Sequence, residues 1–432
     1  MRHQFSGAAK WLVPIAVLAS AAMLLSGCST PKAAPTSGIK GVNITFGGWG
    51  GQEAATKADF SGFMSGFEKS TGAKVQYVGA TYAQSQQQLE LRAKSSNPVD
   101  VAQVDIGWIT SYAAQNQLVD LNTVYGKKNL EALYPENYLK LGQRDGKQVA
   151  LPWTIASIAL VANTDLLKQA GVNKTPTTTA EFTAALEAIK KAEPDVIPYA
   201  LNTKTPALVQ PFTQPWLWTF GGSIYGKNGS ASANTSGNAK ALSYLTGLVN
   251  DGLAPKDMDI FTARTLFAQG KVAFYDDAII AKGLVGKASF ASSVLPIPRP
   301  VAKAGDAPQS EQWGHALVMF KKKRSASELD AAKAFMTHLE TPSTVNAYFK
   351  SQGLLPATKA GLKAQASSTD KYSTTWAAIS TTSRPDETAG LVNGAQVATI
   401  VGTHTEGALV GTESSKAAAE AIAKELTQLG AN

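Results

Sequence analysis

An α/β fold with mostly parallel sheets flanked by helices is predicted by three observations. Short apolar strands alternate with amphipathic helices, several strands run into turns carrying Gly, Asp or Trp, and the chain is long enough for two cores. Single cores rarely grow past about 250 to 300 residues, and this chain has 432. Two lobes are therefore expected, with ligand contacts beyond the carboxyl ends of the strands.

The chain starts with a basic stretch holding Arg2 and Lys10, continues with an apolar run from Trp11 to Leu25, and exits through small residues to Cys28. This is the pattern of a secretory leader over residues 1–27. The apolar run is short for a spanning helix, which needs about 20 apolar residues. Leu25-Ser26-Gly27-Cys28 resembles the lipobox of bacterial lipoproteins, which implies that Cys28 is acylated and becomes the mature N-terminus at a membrane surface. Residues 28–40, rich in Ser, Thr, Pro and Ala, read as a flexible tether.

Without the leader, 38 basic residues face 32 acidic ones, a formal charge of +6. Lys321-Lys322-Lys323-Arg324 reads as a solvated loop rather than a nucleic-acid patch, so no nucleic-acid partner is expected. Cys28 is the only cysteine, which leaves none for a disulfide or thiolate metal site. His3, His315, His338 and His404 form no ligand pattern, and no metal or cofactor is expected.

From Val42 the elements follow in order. Val42 to Phe46 alternates as a strand and enters the glycine-rich turn Gly47 to Gly51, which lacks the spacing of a dinucleotide or P-loop motif. Phe60, Phe63, Met64 and Phe67 form the apolar stripe of a helix closed by Gly72. Val75 to Val78 reads as a strand, Tyr82 to Ser96 as a polar helix, and Val99 to Val104 as a strand ending at Asp105-Ile106-Gly107-Trp108. Tyr112 to Leu118 reads as a short helix. Asp145-Gly146-Lys147 is a turn, and the apolar segments Val149 to Trp153 and Ile155 to Ala162 look like a crossing between lobes.

Thr178-x-x-Glu181 and Ser325-x-x-Glu328 are capping boxes that open helices. Tyr199 to Leu201 is a short strand, and Gln210 to Trp218 follows with three aromatics, two amides and two prolines. If that segment is extended, one of Trp216 and Trp218 is expected to pack and the other to stack. Strand Val272 to Tyr275 ends at Asp276-Asp277, Val294 to Pro298 looks like a second crossing, and Ala316 to Phe320 is a strand after Trp313-Gly314-His315. The rest is mostly helical, with a polar loop from Arg384 to Gly390.

The chain resembles the sugar-binding branch of the extracellular solute-binding proteins of ABC importers, which includes the maltose-binding proteins. The markers are Ile44 to Gly50 with Trp49, Pro98-Val99-Asp100-Val101 running to Tyr112-Ala113-Ala114, and Asp145-Gly146-Lys147 running to Leu151-Pro152. Asn163-Thr164-Asp165-Leu166-Leu167, Phe220-Gly221-Gly222, Phe267 to Val272 and Leu295-Pro296-Ile297-Pro298 complete the set. The resemblance implies a two-lobed periplasmic-binding-protein-like fold of type II with a ligand cleft between lobes. The expected N-terminal lobe spans 41–152 and 296–340, and the C-terminal lobe 153–295 and 341–432. It also implies a monomer that captures a sugar by hinge closure and delivers it to an ABC permease.

Sugar recognition needs flat aromatic faces and planar polar groups in a cavity. Trp49, Trp108, Trp153, Trp216, Trp218 and Trp313 fall at strand ends or in turns, whereas Trp376 lies inside a helix. Gln210, Phe212 and Gln214 occupy the neighbourhood in which the resembled family places an acid and an aromatic against sugar. Where that family often has a tryptophan past the strand, this chain has Asp276-Asp277-Ala278, which suggests a carboxylate contact. Asp105 and Arg384 complete the candidates, with helix capping or a surface turn as the other role for each Asp. A peptide, polyamine or iron carrier shares the expected fold. A secreted glycoside hydrolase needs two carboxyl groups about 5 to 10 Å apart, and no catalytic signature surrounds Asp276 or Asp277.

Overall fold

The strand β1 (Asn43–Gly48) forms where Ile44 and Phe46 point inward from the alternating run. It pairs in parallel with β2 (Lys74–Gly79) on one side and β3 (Val101–Asp105) on the other. The structure, a computed structural model, describes residues 38–225, 236–286, 288–352, 354–366, 369–380 and 382–430. The expected leader, Cys28 and most of the tether lie outside the described residues.

Helix Lys57–Thr71 connects β1 to β2 and buries Phe60, Phe63 and Phe67. At roughly 1.5 to 3 kcal/mol for each such side chain, that stripe holds the helix on the sheet. Gly72 ends it at φ 73°, a left-handed cap that a Cβ would strain. After β3 the chain turns through Ile106–Trp108 into the helix Ile109–Ala114. β4 (Gln143–Arg144) and β5 (Lys147–Gln148) close a hairpin around the expected Asp145-Gly146 turn.

β6 (Leu151–Asn163) is a 13-residue strand, buried throughout, in which the two expected apolar segments merge. Four more strands follow: β7 (Ile197–Ala200), β8 (Val272–Asp277), β9 (Val294–Ile297) and β10 (Glu311–Met319). The sheet path is β2-β1-β3-β10-β6-β8-β7. Off this path, β9 and β11 (Leu355–Pro356) pair with β6, and β12 (Arg384–Pro385) pairs with β10. The β1/β2, β1/β3 and β7/β8 pairs are parallel, while β10 and β6 run antiparallel to their main-path neighbours.

One strand therefore serves both halves. β6 pairs with β10 up to Ile158, opposite Glu311, and with β8 from Ala159, opposite Asp277. Helices cover the sheet, among them Thr179–Ala192 and Ala326–Leu339, and both expected capping boxes are formed.

Three local expectations are corrected. First, Gln210 to Trp218 is not extended; it lies in the helix Pro206–Thr219, with Pro211 and Pro215 inside it. An interior proline costs about 3 kcal/mol, yet this helix buries Leu208, Val209, Phe212, Trp216, Leu217 and Trp218, each contributing roughly 1.5 to 3 kcal/mol. Burial outweighs the lost hydrogen bonds, and both tryptophans pack. Second, the strand expected from Ala316 starts at Glu311, because β6 extends far enough to pair with it. The register shifts between His315 and Ala316, a local irregularity of the kind that re-aims side chains near sites. Third, the basic run at 321–324 is only partly solvated. Lys322 and Arg324 each lie 3.0 Å from Asp100, and the Arg324 side chain is 6% exposed. Burial alone would raise the Asp100 pKa, but hydrogen bonds from the Thr45 amide, from Lys322 and from the Thr45 hydroxyl leave it lowered.

Candidate functional site

A cavity of about 580 Å³ opens at the carboxyl ends of β1, β3 and β8 and at the start of β10. The helices Tyr82–Ala93 and Pro206–Thr219 and the segment after β12 complete its walls. Trp49 follows β1 directly and is carried on a turn that needs glycine. A Cβ on Gly50 would lie 2.2 Å from the Phe60 ring. The amides of Gly50 and Gly51 donate to Gln103 Oε1 at 3.0 Å and to the Tyr77 hydroxyl at 2.8 Å. The turn is thus shaped by close packing, and its donors are already taken.

Aromatic faces group around one carboxylate. The Trp49 ring lies 5.1 Å from Tyr82, 5.2 Å from Trp108 and 4.9 Å from His315, and Trp313 lies 4.5 Å from His315. Asp105 accepts hydrogen bonds from the Tyr82 hydroxyl at 3.0 Å, from Trp313 Nε1 at 2.8 Å and from its neighbour Gly107 N at 2.8 Å. Burial pushes its pKa up to about 6; these hydrogen bonds oppose the shift and nearby Asp386 adds to it. Asp105 therefore orients two of the rings that line the cavity.

A second chain of contacts fixes His315. Gln103 accepts from Gly50 through Oε1, so its Nε2 is the donor to His315 Nδ1, at 3.1 Å. Burial pulls the His315 pKa down to about 3. The neutral ring then carries its proton on Nε2, which has no hydrogen-bond partner. Two residues towards the start of β10 from Trp313, Glu311 is 2% exposed, and its Oε2 also lacks a partner. Burial drives the Glu311 pKa well above the ordinary carboxylate range, and Asp386 and Asp105 push it further. Opposite, Asp277 holds Arg264 through two hydrogen bonds of 2.9 and 2.7 Å, and Asp386 accepts from Gln210 Nε2 at 3.2 Å.

Of the residues expected at the site, Trp49, Asp105, Trp108, Gln210, Phe212, Asp277 and Trp313 line the cavity together. Six others lie elsewhere. Trp153 is fully buried and donates from Nε1 to the Leu339 carbonyl. Trp216 is core, with the Arg299 guanidinium 4.7 Å from its ring centre, and Asp276 is occupied by Arg299 and the Tyr199 hydroxyl. Gln214 is fully buried beside Gln210. Trp218 donates to Glu387 at 2.6 Å beneath Arg384, whose guanidinium lies 4.3 Å from the ring centre. Asp276 and Asp277 point apart, as adjacent strand residues must.

Tyr82, Glu311, His315, Arg264 and Asp386 also line the cavity and were not singled out from the sequence. One signal was available for two of them, since Glu311, Trp313 and His315 alternate and so share a strand face. Among the described residues, no group of three or more His, Cys, Asp or Glu side chains could hold a metal ion.

A model of the family described as "Bacterial extracellular solute-binding protein" matches residues 63–379. A probable ABC transporter-binding protein of Deinococcus radiodurans is 29% identical over 195 residues, 43% of this chain and 45% of that protein. The diacetylchitobiose binding protein DasA of Streptomyces coelicolor is 31% identical over 135 residues, 31% of each chain. The matches thus span less than half the length of these curated relatives. The GacH receptor of Streptomyces glaucescens GLA.O, solved unliganded and with acarbose, superposes with a TM-score of 0.80 at 20% identity. That alignment covers 90% of this chain and 98% of the receptor, so the two share the two-lobed fold. The expected family and fold class are borne out. With the family model matched across most of its length, this chain belongs to the bacterial extracellular solute-binding proteins, a family of exported binding proteins.

Proposed function

We propose that the chain captures a mono- or oligosaccharide in this cavity and delivers it to an ABC permease in the membrane, without chemical change. One observation carries the reading: Trp49, Tyr82, Trp108 and Trp313 group around the Asp105 carboxylate in a cavity of about 580 Å³. Aromatic faces suit the C–H surfaces of a pyranose, and a few convergent polar groups suit its hydroxyls. The names of DasA and of the acarbose-bound receptor, which bind diacetylchitobiose and acarbose, support the same ligand class. The proposed ligand contacts are Trp49, Asp105, Trp108, Gln210, Phe212, Asp277 and Trp313, with Tyr82, Glu311 and His315 added.

The topology supports closure about β6, which exchanges its partner β10 for β8 between Ile158 and Ala159 and so offers a hinge there. A ligand that touches both halves favours the closed form only by binding it more tightly than the open one. Capture holds the sugar by hydrogen bonds and stacking alone, and opening returns it unchanged. Cys28 is the proposed lipid attachment site, supported by the leader pattern ending there. Several acyl chains hold a protein stably where one is marginal. Labelling cells with a clickable fatty acid tests this, and an unlabelled wild-type protein overturns it.

Thermal-shift screening against mono- and oligosaccharides, with peptides, polyamines and ferric iron beside them, tests the ligand class. A ligand that binds only the folded state at 100 times its Kd adds about 2.7 kcal/mol of stability. Shifts with saccharides are expected. Shifts with peptide or iron and none with any sugar would sink the saccharide reading, and released product would mark an enzyme.

A further inference from the structure

We infer that the saccharide taken by this cavity carries a free amine, and that Glu311 receives the ammonium group. The inference rests on the saccharide reading and narrows it to cationic amino sugars.

Charge in the cavity runs against that of the chain. The chain carries a formal charge of +8, but Asp105, Glu311 and Asp386 meet at the cavity, and among the described residues none of the three has an ion-pair partner within 4.0 Å. The cations around them are engaged elsewhere: Arg264 by Asp277, Arg299 by Asp276, Lys140 by Glu136, and Arg144 by Thr110 and the Leu141 and Gln143 carbonyls. Asp105 and Asp386 are satisfied by protein donors: Tyr82, Trp313 and Gly107 for the first, Thr388 and Gln210 for the second. Glu311 differs. It is 98% buried by its 2% exposure, lines the cavity, and keeps Oε2 without a partner.

With no cation paired to it, burial keeps the Glu311 carboxyl protonated; an ammonium that reaches it displaces that proton to solvent and satisfies the carboxylate best. A metal ion would be the other cation, but the described residues offer no set of ligands for one. The surrounding aromatic faces favour a cation as well, because ring quadrupoles attract positive charge. His315 Nε2, also unpartnered, supplies one donor on the same face of β10, fitting an adjacent hydroxyl oxygen. The site thus asks for an ammonium at Glu311 and an acceptor oxygen further along β10 at His315, which an amino sugar unit and its neighbouring unit can present together.

Calorimetry on the full-length protein in detergent tests this with three saccharide series and spermidine beside them: β-1,4-linked glucosamine oligomers, their N-acetylated counterparts, and maltose to maltotetraose. The free-amine series is expected to bind at least about tenfold more tightly than both others, a difference of about 1.4 kcal/mol. Glu311→Gln is expected to abolish that preference, weakening the free-amine series by at least about tenfold more than the neutral ones. Equal or tighter binding of the N-acetylated or maltose series overturns the amine assignment and leaves the saccharide reading standing. Binding of spermidine with no saccharide bound overturns both. The comparison between acetylated and free ligand requires no variant, so a Glu311→Gln protein that does not fold leaves the test intact.

Discussion

Asp105 shows how one side chain can organise several others. Its carboxylate takes the Tyr82 hydroxyl and the Trp313 indole, which come from elements far apart in the chain, and so holds two aromatic faces at fixed angles. Burial raises its pKa to about 6, above the unfolded value of about 3.9. The folded state therefore holds this proton more tightly. Its contribution to stability is fully present below about pH 3.9 and is lost as pH rises through about 6. Asp105→Asn is expected to flatten the fall in Tm across that window, by an amount worth at most about 3 kcal/mol. A variant curve parallel to that of the wild type would show an ordinary carboxyl. At the same scale, Trp313→Ala is expected to weaken binding of the identified saccharide by about 1 to 3 kcal/mol, by analogy with interface hot spots. Calorimetry reads this directly, and an unchanged Kd removes Trp313 from the ligand contacts. Trp216→Ala should instead lower the stability by the cost of a cavity, about 3 to 5 kcal/mol, read as a lower Tm, because that ring is fully buried against Arg299.

Among the elements, the helix Pro206–Thr219 carries the most consequence, because it brings Gln210 and Phe212 to the cavity while its tryptophans pack behind. The helix Gly394–Val410 lies against it so closely that a Cβ on Gly402 would sit 1.9 Å from the Pro206 carbonyl oxygen. Gly402→Ala must push two backbones apart. A loss of about 1 to 3 kcal/mol is expected by denaturant titration, and an unchanged midpoint would mean that the helices separate freely. The last two helices are joined by His404, whose ring nitrogens lie 3.0 Å from Glu413 and 3.0 Å from Glu425. Burial alone would lower its pKa, but the two carboxylates raise it above the usual histidine value. This stabilisation is complete below the unfolded pKa of about 6.5 and disappears as pH rises through the higher folded value. His404→Gln should lose that dependence, seen as equal denaturation midpoints at pH 6 and pH 8 once the wild-type baseline is subtracted; a retained difference would assign it elsewhere.

For the whole molecule, the shared strand β6 gives two halves one continuous backbone, and the cavity draws walls from both. If closure about Ile158 and Ala159 accompanies capture, small-angle scattering with saturating saccharide should show a smaller radius of gyration than without it. Identical profiles would indicate binding without closure. The order of elements was legible in the sequence because strand and helix periods are set by residues two to four positions apart, as in the Phe60, Phe63 and Phe67 stripe and both capping boxes. The resemblance carried the family and fold class for the same reason, since its markers sit at the ends of those elements. Which tryptophans face the cavity was not legible. Trp49 and Trp313 line the cavity while Trp153 and Trp216 are core, although all four stood at expected strand ends or turns.

The sequence by itself determined the α/β order, the two-core length, the leader pattern ending at Cys28, and the family. Only the tertiary structure decided which polar groups meet. Asp105 and Trp313 are 208 positions apart and Gln103 and His315 are 212 apart, so no local pattern records either pair. Glu311 gives the sharpest case: its charge is written in the chain, but its burial without a partner exists only once β10 has paired with β6 and enclosed it. Desolvation belongs to an enclosure and not to a residue, and for that reason the chemistry of this cavity could be read only from the fold.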